Sequence, residues 1–144
     1  MHLLRTALLL ALLPALLLPP ATASAQDDGP KGYTCTLTRG TSQAWVEGRF
    51  RTRPAKRMTI VIDAIDLAGQ RADLVTGDGR GTLRIVRALD AIHFLEVVAE
   101  GYLNVTTVYA RDNKRGIHPA AHSRHFGLFG EPLIAQYAGT CTAR

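Results

Sequence analysis

The chain contains two cysteines, Cys35 and Cys141, and they lie near opposite ends of everything that follows an apolar leader. If they pair, the first and last elements of the fold must meet in space. The residues around each support that. In YTCTLT, Tyr33 to Thr38, residues Tyr33, Cys35 and Leu37 share one face and three threonines share the other. This period of two is that of a half-buried strand. In LIAQYAGTC, Tyr137, Gly139 and Cys141 likewise share a face. Two terminal strands that each present a cysteine from the inward face can be joined directly when they are neighbours, and their pairing hides sheet edges that otherwise invite aggregation. A bond closing a loop of about 100 residues is worth about 4.7 kcal/mol by chain entropy. That is a large share of the roughly 5 to 15 kcal/mol that stabilises a small domain.

Such a bond needs an oxidising compartment, and the first 25 residues supply the route to one. MHLLRTALLLALLPALLLPPATASA has a basic start at Arg5, an apolar run from Ala7 to Leu18, and small residues at Ala23-Ser24-Ala25. The pattern is that of a secretory signal peptide, with the mature chain beginning at Gln26. The run is broken by Pro14, Pro19 and Pro20 and falls short of the roughly 20 residues of a spanning helix. No second stretch is long and apolar enough to span after signal removal. The expected organisation is therefore a cleaved signal over 1–25, a polar flexible leader over 26–32, and a single exported domain over 33–144, periplasmic or extracellular. A mature length of about 120 residues makes one modest core.

Strand patterns fill that domain. MTIVID sets Met58, Ile60 and Ile62 against Thr59, Val61 and Asp63. Gly77-Asp78-Gly79 between two strand-like runs is a hairpin signal, because glycine reaches the positive φ that tight turns need. Ala88 to Gly101 carries both helical spacing and a strand-like apolar run, and the strand reading is preferred for its β-branched and aromatic content. YLNVTTVYA, Tyr102 to Ala110, alternates cleanly. RGTSQ, Arg39 to Gln43, reads as a polar turn, and Trp45 and Phe50 beyond it as core or rim aromatics. HSRHFGLF and LIAQYAGTC read as a closing pair. The expected fold is mainly β: a small antiparallel barrel of about seven or eight strands, or a β-sandwich, with its terminal strands joined by the disulfide.

HPAAHSRHFG holds three of the five histidines. Helical spacing would align His118, His122 and His125 on one face, where three imidazoles and a water can hold zinc. In a strand they diverge, with His122 and Arg124 on one face and Ser123 and His125 on the other. There is no H-E-x-x-H. The strand reading is preferred, and the metal-dependent hydrolase using these histidines stands as the enzymatic alternative. Arg49, Arg51 and Arg53 share a face if RFRTR is extended. They can bind an anion, since arginine's planar fork matches carboxylate or phosphate. They can equally form a solvated edge whose like charges discourage pairing, and that reading is preferred.

The formal net charge of +5, one less without Arg5, suits attraction to anionic surfaces. It does not specify nucleic acid as a partner, and export argues against it. The glycine-rich Gly77–Gly81 segment lacks a P-loop lysine, no redox Cys-x-x-Cys occurs, and no cofactor is implied. Asn104-Val105-Thr106 matches a glycosylation sequon. The leading expectation is a non-enzymatic exported binding or envelope-associated domain, with Trp45, Tyr102 and Tyr109 lining a cavity and His122 and Arg124 at its rim. Its partner would be an unknown small molecule, an anionic envelope surface or an envelope protein. A purely structural envelope role with no small-molecule site is the further alternative.

Overall fold

The computed structural model describes residues 29–77, 79–98, 101–127 and 131–144. The expected signal peptide lies outside the described residues, as do the first three residues, 26–28, of the expected leader.

The nine strands among the described residues are β1 (Tyr33–Val46), β2 (Arg49–Pro54), β3 (Met58–Asp66), β4 (Arg71–Thr76), β5 (Gly79–Arg87), β6 (Ala91–Val98), β7 (Tyr102–Tyr109), β8 (His118–Phe126) and β9 (Leu133–Ala143). All neighbours are antiparallel in the order β2-β1-β3-β4-β5-β6-β7-β8-β9, and β9 pairs back onto β1. Eight strands therefore close into an antiparallel barrel, and β2 stands outside the ring. Closure leaves no open edge among the eight, and it settles barrel over sandwich. Cys35 and Cys141 lie directly opposite in the β1–β9 ladder and form a disulfide. Each is fully buried, so the bond is part of the barrel wall's inner face. The preferred strand reading of the Ala88–Gly101 region is met by β6, and Thr76 pairs with Gly79 at the expected hairpin.

Two bulges keep the alternation in phase with the core. In β3, Asp63 pairs with Asp73 and Asp66 with Arg71, so one residue is extra. Ala64 takes that place at φ 49°, and Ile65 rather than Ala64 then points inward, where it is buried. In β1, Leu37 pairs with Gly139 and Arg39 with Ala138. The extra residue, Thr38, turns Arg39 outward and brings Gly40 inward opposite Tyr137. Without the slip every later side chain of β1 would change face, and a guanidinium would enter the barrel. The bulge also corrects the turn expected at Arg39–Gln43: the chain stays extended through this segment, since Gly40 leaves room for the Tyr137 ring, which a Cβ there would meet.

Beyond the bulge, β1 outruns the ring and folds back as β2 through Glu47 and Gly48. Both have positive φ, 51° and 74°, as a two-residue type I′ hairpin requires. The resulting tongue carries Trp45 and Phe50 edge to face, with centroids 5.0 Å apart. They are exposed, not core aromatics, because no third layer covers β2.

The interior is divided. At the end where β1 begins, Tyr33, Ile62, Ile65, Ala72, Ile85, Phe94 and Val108 pack with the disulfide into a dry core. Tyr33 meets Phe94 and His118 through ring edges at 6.3 and 5.2 Å, and burial pushes its phenol pKa up. At the other end the inward positions turn polar.

Candidate binding site

Three neighbouring strands build the polar end. Glu96 of β6 lies opposite Asn104 of β7, and Asn104 lies opposite Arg124 of β8. Carboxylate, amide and guanidinium thus form one row across the inner wall. Adjacent strands are about 4.8 Å apart, so Glu96 and Arg124 are separated by roughly 10 Å of sheet. One rung deeper, Phe94, Thr106, His122 and Tyr137 form the next row. One rung outward, Tyr102 and Phe126 meet edge to face at 4.2 Å.

These rows face a cavity of about 770 Å³. Its apolar wall includes Met58, Ile60, Leu74, Leu83, Phe94 and Tyr102, and its polar wall is Glu96, Asn104, Thr106, His122 and Arg124. The size lies within the range of small-molecule sites, as does the mixture of apolar lining and a few convergent polar groups. An eight-stranded barrel is just wide enough either to be filled by side chains or to hold one small ligand. Here the dry end takes the first course and the polar end the second.

Hydrogen bonding in the row is incomplete. Asn104 Nδ2 donates to Glu96 Oε2 at 2.7 Å. Asn104 Oδ1 is buried and has no partner among the described residues, although the residue is only 7% exposed. A buried acceptor left in this state costs about 1 to 3 kcal/mol. Arg124, half-buried beside it, makes no ion pair or hydrogen bond among the described residues. The row therefore offers a free acceptor next to a free cationic donor. His122 Nδ1 and Thr106 Oγ1 are 2.9 Å apart. Burial, and then the charge of Arg124, lowers the His122 pKa to about 4. The imidazole is neutral near pH 7; with Thr106 it forms the polar floor.

Three of the five residues expected at a ligand site, Tyr102, His122 and Arg124, line this one cavity. Trp45 lies on the tongue, and Tyr109 lies beside a shallow depression at the dry end with Tyr33 and His118. The histidines of β8 do not come together. His118 Nδ1 donates to Tyr109 O at 2.9 Å, His122 faces the cavity, and His125 lies on the outer face, 3.4 Å from Ser123 Oγ. At about 3.3 Å of rise per residue, His118 and His125 are roughly 23 Å apart along the strand. The helical alignment needed for a mononuclear site is therefore absent, and among the described residues no group of three His, Cys, Asp or Glu side chains could hold a metal ion. Arg49, Arg51 and Arg53 are exposed along β2, with Arg51 paired to Glu47 at 3.2 Å.

Glu96 and Asn104 were not among the expected site residues, since Asn104 stood out only as part of a sequon. Its position inside the barrel keeps that amide from a glycosylating enzyme in the folded protein. The sequence carried no clear signal for Asn104: on β7 the more apolar alternating set is Leu103, Val105 and Tyr109, yet the structure turns Tyr102, Asn104, Thr106 and Val108 inward.

Fold and site together define a closed eight-stranded antiparallel β-barrel with an apolar core at one end and a polar-walled inner cavity at the other. Searches against protein families and curated proteins find no match for the chain.

Proposed function

We propose that the protein is a non-enzymatic exported binding domain that holds one small molecule, with an apolar body and a polar head, inside the barrel. The observation that carries this reading is the unpartnered Asn104 Oδ1 beside unpaired Arg124 in the wall of a 770 Å³ cavity. A head group with an anionic or acceptor atom for Arg124 and a hydrogen-bond donor for Asn104 would complete both, while Met58, Leu74, Leu83 and Phe94 receive the body. The signal-like leader and the disulfide support action in the periplasm or outside the cell. No helix among the described residues is long and apolar enough to cross a membrane.

Calorimetric titration with dodecanoate and dodecanol tests the reading. Both should bind one to one with a negative heat-capacity change from apolar burial, and dodecanoate should bind more tightly. Gly81 faces the same space, and a Cβ there would have ordinary contacts of 3.8 Å with Glu96 and Leu74. Gly81→Phe should therefore fold normally and weaken both ligands at least about tenfold. Failure of natively folded protein to bind either compound would remove the proposal. Export is checked separately by the mass of protein secreted from cells, which should correspond to a chain starting at Gln26.

A further inference from the structure

The β1–β2 tongue combines two properties that edge protection alone does not explain together. Arginines on an outer strand discourage pairing with other chains, and β2, paired with β1 alone among the described residues, leaves its outer edge open. Yet the same hairpin leaves Trp45 and Phe50 at 41% and 44% exposure and Val46 at 38%. An edge defended only against association would not display its largest aromatics.

Position adds a second observation. Of the eight exposed large hydrophobic residues among the described residues, five (Trp45, Val46, Phe50, Leu103 and Leu133) are at the end of the barrel where the cavity opens. The tongue is held there by the backbone bonds Trp45 N to Pro132 O at 3.0 Å and Ala55 N to Gly40 O at 2.9 Å. Its basic residues lie in the same place. Arg49, Arg53, Lys56 and Arg57 are exposed and have no ion pair among the described residues. Arg51 is offset by Glu47, and Glu131 is the other described acid exposed at this rim. Cations therefore exceed acids around an aromatic tip.

We propose that the tongue docks the mouth of the barrel onto an anionic lipid bilayer, with Trp45 and Phe50 entering the headgroup region and Arg49, Arg53, Lys56 and Arg57 meeting lipid phosphates. Tryptophan favours that depth because its ring is amphipathic, and basic residues at an anionic surface strengthen attachment additively. The docked mouth would face the bilayer, but attachment itself requires nothing of the cavity and goes beyond the binding reading.

Trp45 is the one tryptophan of the chain, so its emission reports directly on the tip. Unilamellar vesicles of phosphatidylcholine containing phosphatidylglycerol should shift that emission to the blue and co-sediment the protein. Pure phosphatidylcholine should do neither, and raised salt should reverse both effects. Arg49→Ser with Arg53→Ser should weaken partitioning roughly thirtyfold at low salt, at about fivefold per charge. Phe50→Ser should reduce the shift with circular dichroism unchanged. Equal binding to both vesicle types, or no binding to anionic vesicles at low salt, would overturn the proposal. So would a blue shift that grows with protein concentration without lipid, since the tip would then be covered by a second copy. An equal shift with inorganic polyphosphate alone would assign the arginines to soluble anions and overturn it too. Dodecanoate binding to the same variants should be unchanged, which separates this proposal from the cavity reading.

Discussion

The two ends of the barrel are made from the same strands and follow the same alternation, yet they have opposite interiors. Around Tyr33, Ile62, Phe94 and the disulfide, every inward group is apolar or closely packed. A few rungs away, Glu96, Asn104, His122 and Arg124 occupy equivalent inward positions with their bonding partly unfinished. The dry end holds the barrel closed. That leaves the polar end free to keep groups whose burial is costly, as binding sites commonly do.

The largest effects should come from the dry end. Reducing the disulfide, or replacing both cysteines by alanine, should cost about 4 kcal/mol and lower Tm by on the order of 15 °C, measured by thermal circular dichroism. Ile62→Ala, at a site with no exposure, should cost about 2 to 5 kcal/mol through the cavity it leaves. Equal losses from Leu74→Ala on the cavity wall would erase the contrast between the ends, because that side chain already borders empty space.

The next effect is a pH dependence seated at the polar end. His122 has a folded pKa of about 4 against 6.5 for the free side chain, so the unfolded chain binds more protons between those values. The stabilisation is complete above pH 6.5 and declines as pH falls from there toward 4, by roughly 3 kcal/mol in all. Urea midpoints across that range should show the slope, and His122→Gln should flatten it. Arg124 is the charged neighbour, so Arg124→Met should make the slope shallower without abolishing it, burial being the larger cause.

Smaller still is Asn104→Leu. It removes a buried acceptor that has no partner among the described residues together with the donor to Glu96, and these opposing changes should leave stability within about 1 kcal/mol of wild type. Dodecanol binding should nevertheless fall, because its hydroxyl is the donor for Asn104 Oδ1, whereas dodecanoate, which only accepts, should be affected less. At the far end of the scale, Arg49→Ser and Arg53→Ser on the tongue should change stability by less than about 0.5 kcal/mol, a result that marks the tongue as an appendage of the fold.

Local pattern was enough to find most strands and their inward faces. Tyr33-Cys35-Leu37, Met58-Ile60-Ile62 and Tyr137-Gly139-Cys141 all point inward as their alternation indicates. It failed at Arg39–Gln43, where polar and glycine-containing sequence resembles a turn but is bulged strand. The reason is tertiary: β9 supplies backbone partners along β1 from Tyr33 to Ala44, through the whole of that segment. The site was half legible. His122 and Arg124 could be placed on one face because they are two residues apart, whereas the row Glu96-Asn104-Arg124 spans three strands and depends on their register.

The sequence by itself determined the strand character, the inward faces of the Tyr33–Leu37, Met58–Ile62 and Tyr137–Cys141 runs, and the terminal position of the two cysteines. An extended backbone sends alternate side chains to opposite sides whatever it packs against. Only the tertiary structure decided that eight strands close, that bulges at Thr38 and Ala64 hold the faces in phase, and that the polar inward residues of β6, β7 and β8 meet at one end beside an aromatic tongue. Those outcomes rest on register between segments far apart in the chain, and register is set by closure of the whole barrel, not by any one strand.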